Sequence, residues 1–240
     1  MMLATPATRF SLIDASRGFA IVLMVIYHAC YDLNYFHFVD WNLYESPFWV
    51  NFRTFIVTLF IGIAGISLSL ACRQSVLSLT YLRRLGLLIL CALLISAVSF
   101  ALFHQRYIFF GILHFMVVAS IIGLAFVHRA WLSLGVGIIC LLMGLLIQHP
   151  VFNQPSLQWA GLMTHKPHTE DYVPFLPWFG VFLLGMFIGE RGQNFLSIYN
   201  KLDYVGQPLL CWLGKRSLWI YLVHQPLLMG ILFLVAQLKR

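Results

Sequence analysis

An imidazole and a carboxylate lie four residues apart in the apolar stretch MVIYHACYDLNYF, Met24 to Phe36. On a helix this spacing places His28 and Asp32 on one face, with their Cβ atoms about 6 Å apart. A charged side chain in a membrane span costs about 2.5–3.5 kcal/mol, so it usually faces the bundle interior or a wet cavity. A carboxylate beside an imidazole can hold its tautomer and raise its basicity, which suits a general base. The alternative is a buried hydrogen bond that only joins two helices.

Two further histidines lie in apolar segments, and each of them could equally be a satisfied core or interhelical residue. His114 lies in YIFFGILHFMVVAS, at a predicted depth matching that of His28, as a shared site would require. His224 lies in SLWIYLVHQPLLMG, nearer the inner end of its segment, so its expected depth differs by about 10 Å. Pro226 is predicted to kink this helix and to open a cavity beside His224 and Gln225. Histidines at different depths favour a substrate tunnel over a single cluster.

Charged residues near the predicted helix ends offer binding chemistry. Asp14 and Arg17 have the i, i+3 spacing of an ion pair, but Arg17 could also present its planar donors to a phosphate or carboxylate.

The two longest connections, about 36–51 and 150–173, are predicted to lie outside, and long ordered loops often carry function. At the end of the second connection, Asp171 is predicted to reach over the outer mouth of the bundle.

The composition predicts a membrane scaffold for these residues. The chain has 240 residues, of which 61% are hydrophobic and 10% charged, against roughly 25% charged in a soluble domain. A span needs about 20 mostly apolar residues, and its backbone must be helical. We therefore expect an all-α polytopic membrane helix bundle, one domain over 1–240, with about seven transmembrane helices. The predicted spans are about 16–35, 52–72, 81–103, 107–127, 131–149, 174–190 and 217–237. The segment VGQPLLCWL, about 205–213, is short for a span and is predicted to be re-entrant or interfacial.

The distribution of basic residues predicts the orientation. With the N-terminus in the cytoplasm, ten of the fifteen lysines and arginines lie inside, which the positive-inside rule favours, and the C-terminus lies outside. The five predicted to lie outside are Arg53, Arg106, Lys166, Lys239 and Arg240. Because this rule accounts for the net charge of +7, no nucleic-acid partner is expected.

Other motifs bear on packing and metals. The five cysteines are scattered without a CxxC pattern, so neither a metal site nor a disulfide is predicted. Gly62 and Gly65 in GIAGISL have the spacing of a closely packed helix face.

Several motifs together resemble a known family. They are RFSLIDASRGFAIVLMVIYHACYDLNYF, FIGIAGISLSL, IFFGILHFMVVASII, DYVPFLPWFGVFLLGMFIG and RSLWIYLVHQPLL. The chain resembles the short bacterial members of the DUF1624 family, which are similar to the catalytic domain of heparan-alpha-glucosaminide N-acetyltransferase in the transmembrane acyltransferase superfamily. The resemblance covers roughly 9–127 and 171–230. It implies a multi-pass protein of the bacterial inner membrane that takes acetyl from cytosolic acetyl-CoA and delivers it to an acceptor on the far side, often a sugar.

The resemblance includes His28, Asp32, His114 and His224 among its matching polar positions. Polar residues within three predicted spans, together with positive charge on the inner side, predict roles in acyl transfer for these and other residues. His28 would be the general base, Asp32 would orient it, and His114 would assist at the thioester oxygen or in proton transfer. Three residues would contact acetyl-CoA, namely His224, Arg17 and Gln225. Three would bind the acceptor, namely Asp171, Trp178 and His37, the last being the nearest equivalent of the active histidine of the lysosomal enzymes.

The sequence leaves other functions open. Intramembrane His and Asp residues can relay protons in a transporter or flippase. Paired helical histidines, such as His28 and His114, can ligate a b-type haem. A non-catalytic scaffold would use the same residues structurally. The expected partners are acyl-CoA, a carbohydrate or other polar acceptor and the lipid bilayer, with a homo-oligomer also possible.

Overall fold

The computed structural model describes residues 10–73, 76–192 and 206–238. Within these ranges every regular element is a helix, which confirms the all-α class. The α-helices are α1 Ser11–Tyr35, α2 Pro47–Ala71, α3 Leu79–Phe103, α4 Ile112–Gly123, α5 Ala130–Leu146, α6 Phe175–Arg191, α7 Gln207–Lys215 and α8 Ser217–Leu238. Short 3-10 turns are His104–Arg106, Leu124–Phe126, Pro150–Asn153 and Gln158–Ala160. Four residues of the predicted motifs, segments and topology lie outside the described residues, namely Arg9, Val205, Lys239 and Arg240.

Each predicted span overlaps one helix, with ends that differ by at most five residues. In the described ranges, four segments are long and apolar enough to cross a bilayer, namely α1, α2, α8 and Leu79–Arg106. Helix α4 has 12 residues, and α5 and α6 have 17 each. At 1.5 Å per residue these three are shorter than a hydrocarbon core of about 30 Å. The four long apolar segments make the chain an integral membrane helix protein. The count of seven spans and the cytoplasmic N-terminus stay predictions.

The chain forms two compact units. The first comprises Met1–Phe60 and Phe195–Arg240, and the second is Ile61–Asn194. The boundary falls within α2, so each unit contains part of that helix. The prediction of a single domain stays a prediction.

The first unit has an apolar core between α1, the beginning of α2 and the C-terminal helices. Its buried residues are Ile21, Met24, Tyr27 and Ile56. Partly buried side chains packed against them include Trp49, Phe52, Leu213, Ile220 and Tyr221. This core holds the middle of α1, where the predicted base lies, beside α8.

Glycines bring α2 and α6 into close contact in the second unit. A Cβ atom on Gly65 would collide with the backbone carbonyl of Phe182, and one on Gly185 would collide with the carbonyl of Gly62. Small residues allow backbones to approach closely where lipid supplies no hydrophobic driving force between helices. The packing role predicted for Gly65 is confirmed. A Cβ atom on Gly62 would meet no atom within 4 Å, so Gly62 contributes only its backbone carbonyl to this contact.

Helix α4 begins at Ile112, five residues later than predicted, because the preceding backbone bonds to other segments. The Ile108 N–H donates to Oγ of Ser99 at 2.9 Å, and the Phe110 carbonyl accepts from the Val173 N–H at 3.2 Å. Non-helical backbone in an apolar setting needs such partners. They replace the bonds that a longer helix would have made.

Candidate active site

Helix α1 runs parallel to α7 and α8 in a single register. The side chain of Gln207, the first residue of α7, donates to Oγ of Ser11, the first residue of α1, at 3.1 Å. Ser11 and Gln207 are 196 residues apart in sequence. His28 and His224 are separated by the same number of residues, and their ring centroids are 4.8 Å apart. The two histidines therefore meet because each lies equally far along two parallel helical paths.

Two glycines allow this register. A Cβ atom on Gly18 would overlap the carbonyl of Leu210, and one on Gly214 would overlap the carbonyl of Asp14. The backbones of α1 and α7 thus touch directly, so a larger side chain at either glycine would push the helices apart. Sequence reasoning missed this role, although a glycine inside an apolar helical segment is a signal of close packing.

The predicted depth of His224, about 10 Å from that of His28, is wrong. The prediction started α8 at the inner end of the bundle. In the structure α7 lies alongside the beginning of α1, and its nine residues span about 13 Å. Helix α8 consequently begins further along α1, and the two rings meet edge to face at an interplanar angle of 80°. These two histidines form a pair instead of separate points along a tunnel.

Backbone carbonyls fix the tautomer of both rings. Nδ1 of His28 lies 2.9 Å from the Met24 carbonyl oxygen, and Nδ1 of His224 lies 2.6 Å from that of Tyr221. A carbonyl oxygen can only accept, so each Nδ1 carries the hydrogen. In the neutral rings Nε2 therefore keeps its lone pair, the state that a general base requires.

Asp32 is held by the facing helix. Its Oδ1 accepts a hydrogen bond from Nε2 of Gln225 at 2.8 Å, and the residue is fully buried. The predicted orientation of His28 by Asp32 is supplied in the structure by the Met24 carbonyl. Asp32 remains an electrostatic partner of His28.

Three buried polar atoms in this cluster make no hydrogen bond within the described part of the chain. They are Oδ2 of Asp32, Nε2 of His224 and Oε1 of Gln225. Buried polar atoms in folded proteins are nearly always hydrogen-bonded, and unsatisfied ones often mark functional sites. All three atoms are acceptors in the tautomers assigned above, so a group bound here would supply donors.

Pro226 follows the cluster inside α8, which continues from Ser217 to Leu238. Because proline has no N–H, the Leu222 carbonyl loses its usual helical donor. The predicted kink stays a prediction.

The ion pair between Asp14 and Arg17 is confirmed. Nη1 of Arg17 lies 3.1 Å from Oδ1 of Asp14, which is buried, while the Arg17 side chain is 18% exposed. The Arg17 side chain is therefore partly exposed at the beginning of α1. Contact with acetyl-CoA stays a prediction.

His114 lies in the second unit with both ring nitrogens engaged. Oγ of Ser96 donates to the Ile108 carbonyl at 2.7 Å, so it accepts from Nε2 of His114 at 2.9 Å. Nδ1 of His114 in turn accepts from the Gly111 N–H at 3.3 Å, as in a capping box. Both ring nitrogens of His114 therefore have partners, which favours a structural role. The predicted catalytic role of His114 stays a prediction.

The residues predicted to bind the acceptor lie in three different segments of the chain. Asp171 accepts from the Ile112 N–H at 3.0 Å and so stabilises the beginning of α4. Trp178 is half-buried in α6. His37 is exposed just after α1 with a positive φ of 58°. Their roles in binding stay predictions.

The cluster of His28, Asp32, His224 and Gln225 lies within a region that matches a known family. The family model described as heparan-alpha-glucosaminide N-acetyltransferase, catalytic, matches residues 9–226, which include His28, Asp32, His224 and Gln225. No curated protein and no solved structure matches the chain. The match covers most of the 240 residues, so the chain belongs to the heparan-alpha-glucosaminide N-acetyltransferase catalytic-domain family, a family of membrane acetyltransferases.

Proposed function

We propose that this protein transfers an acetyl group from cytosolic acetyl-CoA to the hydroxyl or amine of a polar acceptor, such as a sugar, at the outer side of a bacterial inner membrane. The observation that carries the proposal is the pair of rings of His28 and His224, with Nδ1 of each bound to a backbone carbonyl. This fixes the tautomer in which Nε2 can accept a proton, inside apolar helices.

His28 acts as the general base. Its Nε2 takes the proton as the acceptor oxygen or nitrogen forms a bond to the thioester carbon. The carbon–sulfur bond breaks, the acetyl group stays on the acceptor, and the CoA thiolate leaves with the bonding pair. The thiolate then takes up the proton that Nε2 of His28 received, so the products are the acetylated acceptor and CoA, and His28 is neutral again. General base catalysis of this kind contributes about 10²- to 10⁴-fold.

Charge limits the histidine pair to one added proton. Two imidazolium rings at a separation of 4.8 Å would repel by about 3–4 kcal/mol at an effective dielectric constant of about 20. The carboxylate of Asp32, by contrast, compensates one positive ring. His224 therefore stays neutral while His28 is protonated, and it can contact the thiol arm of acetyl-CoA.

The remaining polar residues bind the two substrates. Arg17 contacts the CoA phosphates from the inner end of α1, since its side chain is partly exposed. His37, which is exposed just after α1, contacts the acceptor at the outer side.

Thioester turnover tests this proposal. Purified protein in nanodiscs is incubated with acetyl-CoA, and free thiol is measured for the wild type, His28→Ala and His224→Ala. We expect slow hydrolysis by the wild type and a loss of about 10²- to 10⁴-fold in His28→Ala. His168→Ala, an exposed loop histidine, is the matched control and keeps the wild-type rate.

Other outcomes separate the alternative functions. Full activity in His28→Ala contradicts its role as the base. A wild-type protein that neither binds nor cleaves acetyl-CoA contradicts the transferase and favours a transporter or scaffold. A Soret absorption band in the purified protein would instead indicate a haem protein.

A further inference from the structure

Gln225 makes the side-chain hydrogen bond that joins α8 to the carboxylate of Asp32. The bond from its Nε2 to Oδ1 of Asp32 is 2.8 Å long and crosses 193 residues of sequence. A carboxylate can only accept, so the amide group facing Asp32 is the NH₂ group. The orientation of the Gln225 amide is thereby determined.

The burial of Asp32 makes this donor important. The carboxylate is fully buried in an apolar helix packing, and its other oxygen makes no hydrogen bond within the described residues. An ionised carboxylate in such a place needs donors or a positive partner. Gln225 supplies the donor and His28 the positive partner once it is protonated.

The hydrogen bond also determines where the free oxygen of Asp32 lies. With Oδ1 held by α8, rotation of the carboxylate is restricted, and Oδ2 stays a buried acceptor with no hydrogen bond among the described residues. Oε1 of Gln225 is turned away from Asp32 by the same bond and is itself a buried open acceptor. One amide thus positions two acceptor atoms of the site.

We propose that Gln225 is a positioning residue of the acetyl transfer, acting through Asp32 on the protonated His28, and not a residue that binds acetyl-CoA. This inference rests on the proposed function. It revises the role that the sequence indicated for Gln225, because the side chain is committed to Asp32 across the helix interface.

Three variants test the inference. Gln225→Leu keeps the approximate volume and removes the donor. Gln225→Glu replaces the donor with a second carboxylate. The reciprocal pair Asp32→Asn with Gln225→Glu restores a hydrogen bond between the same positions but moves the negative charge from α1 to α8. The measurements are the Tm in nanodiscs, kcat, and KM for acetyl-CoA.

We expect Gln225→Leu to lower kcat by about 10- to 100-fold, the range for a lost hydrogen bond to a charged group, with KM for acetyl-CoA within about twofold of wild type. Gln225→Glu should lower both Tm and kcat because two carboxylates would face each other. The reciprocal pair should recover the Tm lost in Gln225→Glu and still show the low kcat.

Two results would overturn the inference. Recovery of wild-type kcat in the reciprocal pair would mean that the bond only joins the helices. An increase in KM for acetyl-CoA with unchanged kcat in Gln225→Leu would restore the cofactor-binding role.

Failure of the inference is distinguishable from failure of the proposed function. If the wild type neither binds nor cleaves acetyl-CoA, the proposed function fails. The coupling of Asp32 to Gln225 is then still measurable as non-additive Tm shifts of Asp32→Asn, Gln225→Glu and the double variant. If the wild type is active and those shifts are additive, the inference alone fails.

Discussion

The histidine pair of the first unit and His114 of the second unit differ in how many ring nitrogens have hydrogen-bond partners. His28 and His224 each use Nδ1 to reach a backbone carbonyl, and Nε2 of His224 is a buried open acceptor. His114 uses both nitrogens, one toward Ser96 and one toward Gly111. The same residue type in apolar helices therefore either keeps a ring nitrogen open, as His224 does, or stabilises the start of a helix.

This difference shows which observation separates the two roles. Burial does not, since His28 and His114 are both partly buried. The number of ring nitrogens that already have partners does, because a satisfied ring must give up a hydrogen bond before it can accept a proton. Variants in the first unit and in the second unit test this distinction.

The largest effect is expected when the register of the first unit is broken. In Gly18→Leu the new side chain collides with the Leu210 carbonyl and forces α7 away from α1. A displacement of about 1 Å in a catalytic constellation can cost about 100-fold, so we expect at least that loss of thioester turnover. Gly230→Leu is the control, since its Cβ would meet no atom within 4 Å. Equal activity in the two variants would contradict the role of the register.

The second prediction concerns His114. In His114→Ala the Gly111 N–H loses its acceptor, so we expect a destabilisation of about 1–3 kcal/mol, measured as a lower Tm, with turnover per folded molecule nearly unchanged. His114→Gln should recover most of that loss, because glutamine at the third helical position completes a capping box in the same way. If both variants instead lose turnover at normal Tm, His114 belongs to the catalytic site.

The smallest effect is expected at Asp171. Removing its carboxylate in Asp171→Ala takes the acceptor from the Ile112 N–H at the beginning of α4. The expected cost is about 0.5–2 kcal/mol, the range for loss of a helix cap, read as a lower Tm. Asp171→Asn keeps an acceptor oxygen and should lose less. A raised KM for the acceptor at unchanged Tm would instead support the predicted substrate-binding role.

Much of the fold was predictable from local patterns. Runs of about 20 apolar residues bounded the helices to within five residues, because a chain in lipid must close its hydrogen bonds within each span. The late start of α4 was not predictable, since it depends on partners such as Ser99 and Val173 that lie in other segments.

The sequence by itself determined the helical membrane class, the shared face of His28 and Asp32, and the family. These follow from hydropathy, from a four-residue spacing and from motifs, all of which are local. Only the tertiary structure decided that His28 meets His224, that Gln225 holds Asp32, and that His114 is satisfied. The physical reason is that contacts across 193 or 196 residues depend on the register of packed helices, which glycine contacts and the short helix α7 set together.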